Sequence, residues 1–156
     1  MTWDGVRAVD YLETRPEVDM KRIGMFGNSG GGTQTAYISA VDDRIYAAAP
    51  GNFITNYRRL LETRGPQDPE QYLHRQIALG IDHADYLLAR APRPTLLVTT
   101  TRDFFNIQGT RETYAEAKRA FALLGPAPNL EMVEDDFEHG YTRKNREATY
   151  AFFQKH

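Results

Sequence analysis

The chain has 156 residues, enough for one domain with its own hydrophobic core, and a 41% hydrophobic, 12% aromatic composition argues for a folded globule. Its 19 Lys and Arg against 21 Asp and Glu give a formal net charge of -2, so no basic stripe recommends nucleic acid as a partner. The absence of cysteine excludes disulfides, thiolate nucleophiles and cysteine metal sites, and no apolar run approaches a membrane span.

Trp3, Val6, Val9 and Leu12 recur at three-residue steps, which predicts a helix from Trp3 to about Thr14, closed by Pro16 and the acidic turn after it. The apolar run Ile23 to Phe26 predicts a short strand. It leads into Gly27-Asn28-Ser29-Gly30-Gly31-Gly32 and then a small-residue helix from near Thr33 to Ala40. A second strand, Ile45 to Ala49, ends at Pro50-Gly51. Residues 51 to about 92 hold no strand pattern and read as a helical insertion. It has a short helix around Tyr57 to Leu61, a loop at Gly65-Pro66 and Asp68-Pro69, a helix from Glu70 to Leu79, and a third through Ala84 to Arg90 capped by Asp82. Thr95 to Thr101 is the strongest strand signal, β-branched and apolar enough for burial on both faces. A helix from about Thr110 to Leu124, with Tyr114, Ala117, Phe121 and Leu124 on one face, stops at Gly125-Pro126. The last strand, Asn129 to Glu134, precedes the acidic loop Asp135 to Glu138 and His139-Gly140. A closing helix, about Arg143 to Phe153, is expected to bury Ala148, Phe152 and Tyr150. The alternation predicts a single α/β domain over residues 1–156, with a mostly parallel sheet of about four strands and helices on both faces.

The chemistry concentrates at Gly27-Asn28-Ser29-Gly30-Gly31, a Gly-x-Ser-x-Gly run between strand and helix. A serine at the tip of such a turn needs glycines two positions to either side, where a side chain would strike the neighbouring backbone. The first amides of the following helix then aim at the space above the serine oxygen, and Gly30 supplies one of them. The bland alternative is a glycine-rich turn, weakened by there being only two serines, Ser29 and Ser39, in the chain.

Active sites of open parallel sheets form beyond the carboxyl ends of the strands, and three such ends carry Ser29, Asp103 and His139. A serine hydroxyl needs a base to take its proton, an imidazole serves near neutral pH, and a carboxylate fixes the imidazole's tautomer. Asp135 and Asp136 are rival acids, but they stand only a few residues before His139 and read as a solvated loop. His74 and His83 belong to the insertion and read as surface or packing residues, while His156 is terminal. A metal reading of His74, Asp82, His83 and Asp85 is less economical than acid placement at a helix N-terminus. The chemistry calls for no cofactor and no metal.

These residues, together with Asp4-Gly5-Val6-Arg7-Ala8, Thr101-Arg102-Asp103-Phe104-Phe105 and Glu138-His139-Gly140-Tyr141, resemble the C-terminal half of α/β-hydrolase serine esterases. The likeness is nearest to the acetyl xylan esterase and dienelactone hydrolase-like branches, relatives of the prolyl oligopeptidase catalytic domains. It covers nearly the whole chain and is loose about substrate. The resemblance implies Ser29 as nucleophile, Gly30 as an oxyanion amide, Asp103 as acid and His139 as base. It also implies strands ahead of the first helix and a loop supplying a second oxyanion amide, neither of which precedes Trp3 here. The fold expected is therefore a truncated α/β-hydrolase with an open edge beside the Ser29 strand, and that edge predicts a homodimer or higher homo-oligomer.

The activity expected is hydrolysis of small acetyl or short-chain acyl esters through an acyl-serine. A prolyl oligopeptidase-type peptidase and an inactive, truncated assembly module are the competing readings. No signal-peptide pattern opens the chain, so a cytoplasmic protein without nucleic-acid or membrane partners is the expectation.

Overall fold

Parallel strands need crossover helices, and the apolar spacing of the sequence supplies them in turn. The computed structural model describes residues 1–63, 67–125 and 129–156. The elements are α1 (Thr2–Glu13), β1 (Ile23–Asn28), α2 (Gly30–Val41), β2 (Ile45–Gly51), α3 (Tyr57–Thr63), α4 (His83–Leu88), β3 (Thr95–Thr100), α5 (Ile107–Leu124), β4 (Leu130–Asp135) and α6 (Arg143–Lys155). The strands form one parallel sheet in the order β1-β2-β3-β4.

Alternation along the strands sorts the core. Leu97, Leu130 and Met132 face a layer built from Ala36, Tyr37, Phe53, Leu60, Leu87, Ala117 and Phe121, contributed by α2 to α5 and the chain after β2. Ile23 and Ala48 pack with Val9 and Leu12 of α1. The opposite face, with Ala47, Ala49, Leu96, Val98 and Val133, is covered by Phe152 and Phe153 of α6. The chain is thus an α/β fold of four parallel strands with helices on both faces. Among the described residues no helix is long and apolar enough to cross a membrane.

Arg90, only 1% exposed, is a buried cation with no carboxylate among its bonding partners in the described residues. Its guanidinium donates to the Thr95 hydroxyl and to the carbonyls of Ser39, Tyr46 and Pro94. One side chain thereby fastens the end of α2 and the starts of β2 and β3 together. Burial lowers its pKa to about 9.

Several expectations are corrected. The helix predicted from Glu70 to Leu79 is two short 3-10 turns, Pro69–Gln71 and Ile77–Leu79. Gln71 is captured by tertiary bonds: its carbonyl accepts from the Tyr37 hydroxyl at 2.6 Å and its amide donates to Thr33 Oγ1 at 3.3 Å. Arg75 then adopts a left-handed φ of 62°, which a helix cannot continue. α2 begins at Gly30 instead of near Thr33, and α5 at Ile107, where Asn106 caps it by accepting from the Gln108 and Gly109 amides. Tyr150, expected to be buried by the closing helix, is exposed, as are Trp3 and Leu124 at the ends of their helix faces. The predicted turns at Gly65-Pro66 and Pro126 lie outside the described residues.

Candidate active site

Parallel strands end on a common rim: Asn28 is in register with Gly51, Gly51 with Val98, and Thr100 with Asp135. The residues just beyond β1, β3 and β4 are therefore delivered to one side of the molecule. These are Ser29, the Asp103 loop and the His139 loop.

Ser29 joins β1 to α2 with φ 57° and ψ -118°, a strained conformation for a residue with a side chain. Its N–H donates to the Gly51 carbonyl at 2.9 Å, and its own carbonyl accepts from Thr33 N–H at 2.9 Å as α2 begins. The turn is tight where glycine is required. A Cβ on Gly27 would lie 2.5 Å from the Gly31 carbonyl oxygen, and one on Gly32 would lie 2.1 Å from the Gly51 oxygen. A Cβ on Gly31 would meet nothing within 4 Å. The second glycine the elbow needs is thus Gly32, one residue later than the motif spacing predicts, because it is there that α2 passes against β2. Gly30 opens α2, so its N–H has no acceptor inside the helix.

Asp103 and His139 meet directly. The imidazole Nδ1 lies 2.9 Å from Oδ1 and 2.8 Å from Oδ2 of the carboxylate. The Asp103 side chain is 2% exposed, and it is satisfied: Oδ1 accepts from Phe105 N–H at 3.0 Å and Oδ2 from the Thr100 hydroxyl at 3.1 Å. A carboxylate facing Nδ1 favours the proton on that nitrogen and leaves Nε2 with its lone pair. The ring of Phe104 stacks on the imidazole at 4.4 Å between centroids, with 30° between planes. Asp135 and Asp136 do not join this pair. Among the described residues no hydrogen bond joins the Ser29 hydroxyl to the imidazole, whose Nδ1 is held by Asp103.

Two open depressions share Arg102 and Phe104 as a common wall. One, of about 390 Å³, is also lined by Glu138 and His139. The other, of about 290 Å³, is also lined by Thr63, Asp103 and Asn106. Arg102 is held at the lip by Asp136, with Nε 3.2 Å from Oδ1 and Nη2 donating to the Asp136 carbonyl at 3.1 Å.

The remaining histidines lie elsewhere. His83 is fully buried, its Nδ1 accepting from Thr55 N–H at 3.1 Å and its ring stacked on Phe53. His74 is exposed, and His156 packs on Phe152 at the end of α6. Asp82 and Asp85 form a reciprocal capping box on α4. Three residues that shape the rim were not anticipated: Asn52, Thr100 and Phe104. Asn52 had a signal: it is an Asn immediately after the strand end at Pro50-Gly51, the same position relative to β2 that Ser29 has relative to β1.

Comparison with known proteins agrees with this architecture. The family model described as acetyl xylan esterase (AXE1) matches residues 2–82, just over half of the chain. The Bacillus subtilis (strain 168) protein YtaP, a hydrolase by name, is 26% identical over 99% of this chain and 52% of its own length. Among solved structures, a glucuronoyl esterase from Solibacter usitatus is similar with a TM-score of 0.78 and 22% identity, over 98% of this chain and 47% of that one. An acetyl xylan esterase from Paenibacillus sp. R4 is similar with a TM-score of 0.68 and 24% identity, over 99% of this chain and 52% of that one. The chain spans about half the length of the relatives it matches.

Proposed function

The chain belongs to the acetyl xylan esterase (AXE1) family, and from that premise we propose that it hydrolyses small carboxylic esters, acetyl or short-chain acyl groups on a sugar or simple alcohol, through an acyl-serine. His139 Nε2 takes the Ser29 proton as Oγ bonds to the ester carbonyl carbon, and the carbonyl π electrons move onto oxygen. That oxyanion is met by the Gly30 N–H at the start of α2. When the tetrahedral adduct collapses, the C–O bond to the alcohol breaks and His139 returns the proton to the departing oxygen. Water, deprotonated by the same imidazole, then attacks the acyl carbon, and Ser29 leaves with its proton restored. Asp103 holds the imidazole and stabilises it while it carries the proton.

The observation that carries this reading is the 2.8 Å Asp103–His139 contact on the rim where Ser29 sits at φ 57°. The family description and the Paenibacillus neighbour, both named acetyl xylan esterases, support the acetyl-ester substrate class. A fluorophosphonate should label Ser29 stoichiometrically, and p-nitrophenyl acetate should be turned over while a proline anilide is not. Ser29→Ala should abolish labelling and lower turnover by roughly 10⁴-fold or more, and Asp103→Asn should lower it by roughly 10⁴-fold. Wild-type protein that is neither labelled nor active would refute the proposal.

A further inference from the structure

We propose that Asn52 is a positioning residue that holds the His139 loop in register with the Ser29 elbow. It sits one residue past β2, is 3% exposed and has a left-handed φ of 46°, a conformation Asn tolerates better than most side chains. Its backbone N–H donates to the Val98 carbonyl at 2.8 Å, and the carbonyl just before it, on Gly51, is the one that accepts from Ser29 N–H at 2.9 Å. Its side-chain Nδ2 donates to the Gly140 carbonyl at 2.7 Å. That oxygen can only accept, so the nitrogen of the amide must face it. Oδ1 is left 3.5 Å from the Thr100 hydroxyl, whose shorter contact, 3.1 Å, is to Asp103 Oδ2.

One residue at the end of β2 is thus linked, through one neighbour each, to all three parts of the site. It reaches the elbow through Gly51, the acid through Thr100, and the base through the residue that follows it. Gly140 is next in the chain to His139, so movement of its carbonyl swings the imidazole relative to Ser29. Misplacement of a catalytic group by about 1 Å can cost on the order of 100-fold in rate, without a comparable effect on substrate binding. Aspartate is nearly isosteric with asparagine, but its carboxylate cannot donate to Gly140 and would add a negative charge beside Asp103.

The kinetic arm of the test rests on the esterase reading, and a spectroscopic arm does not. Asn52→Gly removes the amide while accepting the left-handed backbone, and Asn52→Asp keeps the shape without the donor. Both variants, folded by circular dichroism, should lose roughly 10- to 100-fold in kcat on p-nitrophenyl acetate with KM little changed. In both, the hydrogen-bonded His139 Nδ1 proton, followed by NMR, should broaden or vanish relative to wild type. Folded variants with wild-type kcat and an intact Nδ1 signal would overturn the proposal. So would failure of both variants to fold, since the role would then be structural alone. If wild type shows the Nδ1 signal but no turnover, the esterase reading fails and Asn52 is judged on the signal.

Discussion

At Gly32 the first turn of α2 presses so close to β2 that a methyl group would sit 2.1 Å from the Gly51 oxygen. That carbonyl already accepts the Ser29 N–H, so it cannot yield without pulling the elbow out of shape. Gly32→Ala should therefore destabilise the protein by about 3 kcal/mol, the upper range for overpacking, and suppress labelling of Ser29 even in folded protein. Gly31→Ala meets nothing and replaces a glycine inside a helix. It should leave stability unchanged or raise it by up to about 1 kcal/mol. Urea unfolding of the two variants side by side decides the matter: equal losses would show that the motif's nominal spacing, not the approach of α2 to β2, governs the turn. The placement of Ser29, Asp103 and His139 on one rim was legible because each follows a strand whose apolar run ends sharply. The identity of the second essential glycine was not, because it depends on how closely a helix lies against a strand that the sequence does not show beside it.

The segment between β2 and β3 follows the same division. Asp82 and Asp85 announce α4 locally, and the capping box forms. Pattern alone also favours a helix over residues 70–79, yet Tyr37 and Thr33 bind Gln71 from across the core, and Leu73, Ile77 and Leu79 are exposed. Long-range bonds override local periodicity there. His83, the first residue of α4, carries a consequence for acid stability. Burial among Phe53, Tyr57 and Tyr86 lowers its pKa from 6.5 to about 3. Protonation of Nδ1 would also set two donors against each other at Thr55. The unfolded chain takes up this proton below 6.5 and the folded chain does not, so the stabilisation is whole above that value and is lost as pH falls toward 3. The loss should approach about 1.4 kcal/mol per pH unit. Asp42 and Glu134, held below the usual carboxylate range by Arg44 and Arg111, act at lower pH. Urea midpoints between about pH 7 and pH 4 should therefore fall more steeply for wild type than for His83→Gln. Parallel slopes would assign the acid sensitivity to other groups.

For the molecule as a whole, the order β1-β2-β3-β4 leaves β1, the strand that leads to Ser29, at an edge. α6 reaches across the sheet far enough for Phe153 to cover Gly24, where a Cβ would lie 2.6 Å from its ring. Past that point Phe26 is 54% exposed, so an apolar side chain adjoins the edge of β1, which among the described residues has no second neighbouring strand. An unpaired edge of this kind is a template for pairing with another chain. The 156-residue chain should therefore self-associate at micromolar concentration, a second copy occupying the β1 edge. Phe26→Lys places a charge at the half-exposed rim where the Phe26 ring meets Phe153 and Tyr141, leaving the buried Ile23 on the other face untouched. It should shift sedimentation velocity toward monomer while circular dichroism stays unchanged. Because Ser29 lies directly past the end of β1, pairing there also restricts access to the elbow. Fluorophosphonate labelling of wild type should slow as protein concentration rises, and that dependence should disappear in Phe26→Lys. Wild-type protein that sediments as a single monomer across the concentration range would show that the edge is stable in water as it stands.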